Sequence, residues 1–247
     1  MATAREIKRR IRSVKNIAQV TNALRAVSAS RVRRAQARSD ASRPYAARVW
    51  RVLVDVAAQA RHGELIHPLL DVRTPVRKIS IVLITSDRGL AGPYNLNIVR
   101  KTRRFVEELG KPAEYITVGR KGRDMLYRQG VEIRADFSDV PDDPTIVDIA
   151  PIAREAIGDF LSHQVDEVYF AWTNFINMLT QQPGLARLLP LKPYDEHDAE
   201  LSGTPQLPQA PGRKLPYIYE PEAAVILNMV LPRFAEWLLF QAILESQ

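Results

Sequence analysis

Residues 76–110, "VRKISIVLITSDRGLAGPYNLNIVRKTRRFVEELG", change texture twice within a short span. The stretch up to Thr85 is β-branched and apolar enough for a strand buried on both faces. A Ser86-Asp87-Arg88-Gly89 turn follows, with Gly92 three residues on. From Asn97 the spacing is helical and stops at Gly110. Strand, turn and helix in this order are the repeating unit of an α/β sheet, and the turn sits where such a sheet holds a phosphate.

Reading toward the C-terminus, the unit recurs. "AEYITVG" (113–119) predicts a second strand and "RKGRDMLYRQG" (120–130) a short helix. "TIVDIAPIAREAIGDFLSH" (145–163) predicts a longer helix and "VDEVYFAWTNF" (165–175) a third strand. The alternation specifies a parallel or mostly parallel sheet between about Pro75 and Leu191. Residues 183–216 are rich in Pro, Gly and polar side chains and read as loops, with one strand at "LARLLPL". From Glu222 to Ser246 a helical pattern returns, carried by Val225, Leu227, Val230, Leu231, Phe234, Leu238 and Ile243, with Pro232 expected to bend it.

Toward the N-terminus, residues 3–43 contain neither Gly nor Pro. Ile7, Ile11, Val14, Ile17, Val20, Leu24 and Val27 recur in steps of three and four, one stripe of a helix about 60 Å long. If Pro44 is accommodated, the helix continues through "YAARVWRVLVDVAAQA". A rod of that length needs a partner helix or a socket in another protein. Two terminal helices flanking one α/β domain suit an antiparallel coiled coil standing on that domain. The expected boundaries are 1–62 for the N-terminal helix, 75–216 for the Rossmann-like α/β foot and 221–247 for the C-terminal helix.

Composition narrows the chemistry. Of 247 residues, 46% are hydrophobic and 26% charged, the proportions of an ordinary globular chain. No continuous apolar run approaches the length that spans a bilayer. The chain has no cysteine, which removes disulfides, thiolate metal sites and thiol nucleophiles. His62, His67, His163 and His197 lack metal-ligand spacing, so no metal or cofactor is expected. The net charge of +7 is concentrated in the first forty residues, where eleven Lys and Arg face only Glu6 and Asp40. Such a segment attracts an anionic partner.

Two alternatives follow from the residues. A free α/β enzyme would use the Asp87 turn. The turn lacks the lysine of a P-loop, the Gly-x-Gly-x-x-Gly spacing and a Gly-x-Ser-x-Gly elbow. The structural reading has Asp87 capping backbone amides while Gly89 and Gly92 permit a tight crossing. The second alternative is a basic coiled-coil nucleic-acid binder. Against it, the arginines are interleaved with a sustained apolar stripe, and aromatic residues are absent from the first forty positions.

Several stretches, in order and across nearly the whole chain, resemble the gamma subunit of the rotary F-type ATP synthase. They are "EIKRRIRSVKNIAQVTNALRAVSASRVRRAQ", "ITSDRGLAG" with Asn97-Ile98, "VGRKGRDMLYRQG", "DEVYFAWTNFINMLTQQP" with "LLPL", and "YIYEPEAAVILNMVLPRFAEWLLFQAILES". Pro93 stands where that family has Gly or Ala, and Asn22 where a basic residue is common. The chain stops at Gln247, where the family continues its helix; a truncated or shortened shaft is the expectation.

The resemblance implies a non-catalytic central shaft turning inside a ring of alpha and beta subunits. Its foot would rest, with the epsilon subunit, on the membrane ring of c subunits. It further implies that Arg5, Lys8, Arg9, Leu24 and Arg25 face the hexamer and that Tyr217 and Glu220 face the c-ring. Nucleic acid is not an expected partner. Membrane association is expected to be peripheral, at the cytoplasmic face of the bacterial plasma membrane, through the complex.

Overall fold

The computed structural model describes residues 3–60, 67–177, 180–191 and 223–246. Helix α1 spans Ala4–Ala60 without interruption at Pro44. A single 3₁₀ turn, Pro68–Leu70, leads into the α/β unit. There follow β1 (Ile79–Ile84), α2 (Tyr94–Leu109), β2 (Ala113–Val118), α3 (Arg120–Tyr127), β3 (Ile133–Phe137), α4 (Ile146–Leu161), β4 (Glu167–Phe175) and β5 (Gln181–Leu189). The last helix, α5, covers Ala223–Ser246 and contains Pro232.

The five strands form one sheet in the order β3-β2-β1-β4-β5. β1 to β4 are mutually parallel, and β5 returns antiparallel along β4. β1 is buried at all six positions because helices cover both faces. Ile79, Ile81 and Leu83 pack toward Ile98, Val99 and Leu126 of α2 and α3. Val82 and Ile84 pack on the other face with α4 and α5, through Ile152, Phe160, Leu231 and Phe234.

Two elements differ from the sequence expectation. β3 is an added edge strand whose burial alternates, with Arg134 and Asp136 at its more exposed positions. β5 begins at Gln181, earlier than "LARLLPL", and carries Pro183 opposite Thr173. Proline is tolerated there because an edge strand leaves one row of amides unpaired.

Helix α5 is apolar over most of its length. Val225–Ser246 is interrupted by Arg233, Glu236 and Glu245, yet its mean hydropathy of 1.2 makes it long and apolar enough to cross a membrane by composition. This stretch is 61% buried inside the protein. The helix is apolar on nearly every side because it packs on β4, α4 and α1 together.

Helices α1 and α5 pack against each other in opposite senses. Arg31, Arg34 and Ala35 share a cleft with Ile243, Leu244 and Ser246, at the end of α5. Beyond the other end of α1, His67 bonds Asn228 near the start of α5. Burial outweighs that bond and lowers the His67 pKa. At 1.5 Å per residue α1 is about 85 Å long and α5 about 36 Å. Residues 4–30, about 40 Å of α1 at that rise, precede the part that packs on the described residues of α5.

Candidate functional site

Along that segment every side chain from Thr3 to Ser28 is exposed. Ile7, Ile11, Val14, Ile17, Val20, Leu24 and Val27 are each 50–64% exposed. Their mean step is about 3.3 residues, shorter than the helical repeat, so the stripe winds left-handed around the rod, as the seam of a coiled coil does. Covering one such half-exposed side chain would contribute roughly 1 kcal/mol.

Arg5, Lys8, Arg9, Leu24 and Arg25 all lie on this segment. Arg10 is tied to Glu6 one turn away at 3.0 Å. Arg5, Lys8, Arg9 and Arg25 carry no partner among the described residues. Tyr217 and Glu220 lie outside the described residues.

The turn after β1 opens into a cleft of about 650 Å³ between the carboxyl ends of β1 and β2, the end of α5 and the flank of α1. It lies on the carboxyl side of the strands, where α/β sheets bind ligands, beside the β1–β4 boundary at which the strand order reverses. Three of the four arginines that line it are held by the cleft's own carboxylates. Asp87 Oδ1 accepts the backbone N–H groups of Arg120 (3.0 Å) and Asp139 (3.1 Å). Arg120 pairs with Asp139 at 2.8 Å and lies 3.6 Å from Asp87. Arg31 and Arg88 both reach Asp142 Oδ2, at 2.8 and 3.4 Å. An arriving phosphate would have to displace a carboxylate from each of these three arginines.

Ser86 is equally committed. Its hydroxyl donates to the Arg88 carbonyl oxygen at 2.7 Å and accepts the Asn95 side-chain amide at 2.8 Å. The side-chain oxygen of Asn95, Oδ1, in turn accepts the Ser86 N–H at 3.0 Å. The geometry stitches a turn to the first residues of α2.

Gly92 has φ +55° and leads into Pro93 and α2. Gly89 does not adopt a left-handed φ; the fully exposed Leu90 does, at +64°. The glycines that decide packing lie in "VGRKG". Gly119 has φ +94°, and a Cβ there would stand 2.2 Å from the Thr85 carbonyl oxygen. A Cβ on Gly122 would stand 2.7 Å from Thr85 Oγ1, which accepts the Gly122 N–H at 2.9 Å. The motif was visible in the sequence, but its contact with Thr85 was not.

The far end of the cleft is closed by the last turn of α5. The Tyr94 hydroxyl donates to the Ser246 carbonyl oxygen, the Ser246 hydroxyl accepts the Thr173 N–H at 3.2 Å, and Trp172 Nε1 donates to Glu245 at 3.0 Å. Burial pushes the Tyr94 phenol above its ordinary pKa. These bonds fix the place where α5 leaves the sheet.

Fold and surface together define a class: two terminal helices packed in opposite senses beside an α/β sheet, the longer of them carrying a basic and half-apolar surface. The ATP synthase family model matches residues 3–247. The ATP synthase gamma chain of Dehalococcoides mccartyi (strain CBDB1) is 44% identical over 246 residues, covering 100% of this chain and 81% of that protein. The gamma chain of Chloroflexus aurantiacus is 39% identical over 249 residues, with the same coverage. In fold, the chain is similar to a structure of the Tetrahymena thermophila mitochondrial ATP synthase central stalk and c-ring, with a TM-score of 0.67, 19% identity and 92% of each chain covered. The chain belongs to the ATP synthase gamma-chain family.

Proposed function

We propose that this chain is the central rotor shaft of a proton-translocating ATP synthase. It couples rotation of the c-ring to conformational change in the alpha and beta subunits, where ATP is made or hydrolysed. The observation that carries this reading is the pairing of α1 and α5 in opposite senses beside an α/β base, in a chain of the ATP synthase gamma-chain family.

A shaft answers a mismatch of magnitudes. One charge crossing 100 mV releases about 2.3 kcal/mol, less than ATP formation requires in a cell. Several ion steps must therefore be summed and delivered together. A rod whose flanks differ presents each beta subunit with a different surface in turn and shifts its open and closed populations. In this reading Arg5, Lys8, Arg9 and Arg25, with Leu24, meet acidic surfaces of the hexamer. Attraction between exposed charges is long in range and not rigid, which suits a turning contact. Tyr217 and Glu220 meet the c-ring, and the foot sits with the epsilon subunit at the cytoplasmic face of the bacterial membrane.

The chain itself would be non-catalytic and bind no cofactor. The paired arginines of the cleft and the committed Ser86 hydroxyl weigh against the enzyme reading. The apolar stripe of α1 weighs against nucleic acid. Affinity capture of the tagged chain from native membranes tests the assignment. Recovery of alpha, beta, epsilon and c subunits is expected; recovery of nucleic acid without them would overturn it.

A further inference from the structure

Beneath α4, at the amino ends of β1 and β2, three side-chain oxygens are sealed from solvent with no hydrogen-bond partner among the described residues. They are Ser80 Oγ, Glu114 Oε1 and Asp159 Oδ2, on residues 0%, 1% and 3% exposed. Ser80 and Glu114 stand opposite each other in the β1–β2 ladder. Strand alternation puts both on the face of Val82, Ile84, Ile116 and Val118, the face that α4 covers. Asp159 lies on α4 between Ala156 and Phe160, which pack on that face. Lys78 stands within reach of both carboxylates. Its ammonium bonds Glu114 Oε2, and the charges of Glu114, Glu132 and Asp159 together raise its pKa against the opposing effect of burial.

The charges already present decide what can supply the missing bonds. Lys78 offsets Glu114, and Arg134 donates to Asp159 Oδ1 from Nε and Nη2, both at 3.4 Å. A further cation would be surplus, and among the described residues no group of three His, Asp or Glu side chains could hold a metal. The unmet need is two hydrogens, one for each carboxylate oxygen, and one acceptor for the Ser80 hydroxyl. A single water molecule supplies all three, and about three polar partners is the usual number for a buried water. We propose that Ser80, Glu114 and Asp159 form an internal site for one water molecule. It donates to Glu114 Oε1 and Asp159 Oδ2 and accepts from the Ser80 hydroxyl, joining β1 and β2 to α4. The site belongs to the base and is independent of which subunits the chain engages.

Nuclear Overhauser contacts with water, measured on the full isotope-labelled chain at neutral pH, test this directly. Ser80→Ala is the clean probe, because its methyl group has no hydroxyl to relay exchange with solvent. That methyl should show a contact with a water resident for longer than nanoseconds, held by the two carboxylates. Ser80→Val fills the site with methyl groups, and the contact should vanish. In urea, Ser80→Ala should unfold at a lower midpoint than the native chain, and Ser80→Val at a lower one still. Absence of a long-lived water contact in Ser80→Ala would overturn the proposal. So would a raised urea midpoint for Ser80→Ala, the result for a buried hydroxyl that has no partner to lose. A protonated Asp159 at neutral pH, seen in its carboxyl carbon-13 shift, would also overturn it, since the carboxyl would then carry the missing hydrogen itself.

Discussion

The carbonyl oxygen of Thr85 occupies the space where a side chain on Gly119 would begin, 2.2 Å from the position of its Cβ. The obstructing atom is backbone at the end of β1, and cannot swing aside as a flexible side chain would. Gly119 also holds φ +94°, a conformation L-residues rarely adopt. Gly119→Ala should therefore destabilise the chain by about 2–4 kcal/mol, combining overpacking with backbone strain. Urea unfolding checks this; a loss within about 0.5 kcal/mol, as at an ordinary surface position, would contradict it. Gly89→Ala, where a Cβ would meet only Lys121 at 3.8 Å, is the matched control and should be near neutral.

Tyr94 joins the start of α2 to the last turn of α5 through the Ser246 carbonyl oxygen. Tyr94→Phe keeps the ring and removes the donor, leaving a carbonyl without that partner. The expected cost is about 1–2 kcal/mol. Amide exchange should rise locally in the last turn of α5. Uniform loss of protection across the sheet would show that the hydroxyl is not a local tie.

Two carboxylates on α4 should respond to pH in opposite directions. Asp148 accepts from the Thr145 hydroxyl and N–H, both at 2.7 Å, and these bonds hold its pKa below the ordinary carboxylate value of 3.8. Its stabilising contribution is present above that value and is lost as pH falls through the lower folded one. Asp159 is driven the other way, chiefly by burial, with Arg134 opposing the shift. Its charge weakens the fold above the raised folded pKa, and that penalty disappears as pH falls through it toward 3.8. Asp159→Asn should thus compare best with the native chain near neutral pH, its advantage shrinking on acidification. Asp148→Ala should compare worst near neutral pH, its deficit shrinking below the ordinary carboxylate range. Urea titrations across pH decide both signs.

The free cations of the rod give a prediction for the assembled complex. Replacing Arg5, Lys8, Arg9 and Arg25 by Gln leaves the apolar stripe in place. It should weaken association with the alpha and beta subunits by about 1–4 kcal/mol at low salt, since exposed ion pairs contribute about 0.2–1 kcal/mol each. The dependence of binding on salt should flatten. Unchanged affinity and an unchanged salt slope would remove these four residues from the contact.

Much of this architecture was legible because its elements are strongly periodic. The stripe Ile7 to Val27 and the apolar run Ile79 to Ile84 each have one sensible reading. β3 was hidden because Arg134 and Asp136 alternate with Ile133, Ala135 and Phe137 on an edge strand where no residue is fully buried. The start of β5 was hidden because Gln181, Gln182, Pro183 and Gly184 are loop residues by composition, and only pairing with β4 extends them. At the cleft, the turn residues announced themselves. What they do depends on partners far along the chain: Asp139 and Arg120 for Asp87, Asn95 for Ser86, Arg31 for Asp142. No local pattern encodes those meetings. The same limit made Gly89 resemble a required glycine and left Gly119 unremarked.

The most direct test of the rotary account is to watch the foot turn. A cysteine introduced at Arg100, on the outer face of α2, carries a bead while the alpha and beta subunits of the purified complex are fixed to a surface. With ATP supplied, sustained rotation in one direction is expected. ATP hydrolysis by the same molecules with the bead stationary, or moving without direction, would contradict the claim that this chain is the axle.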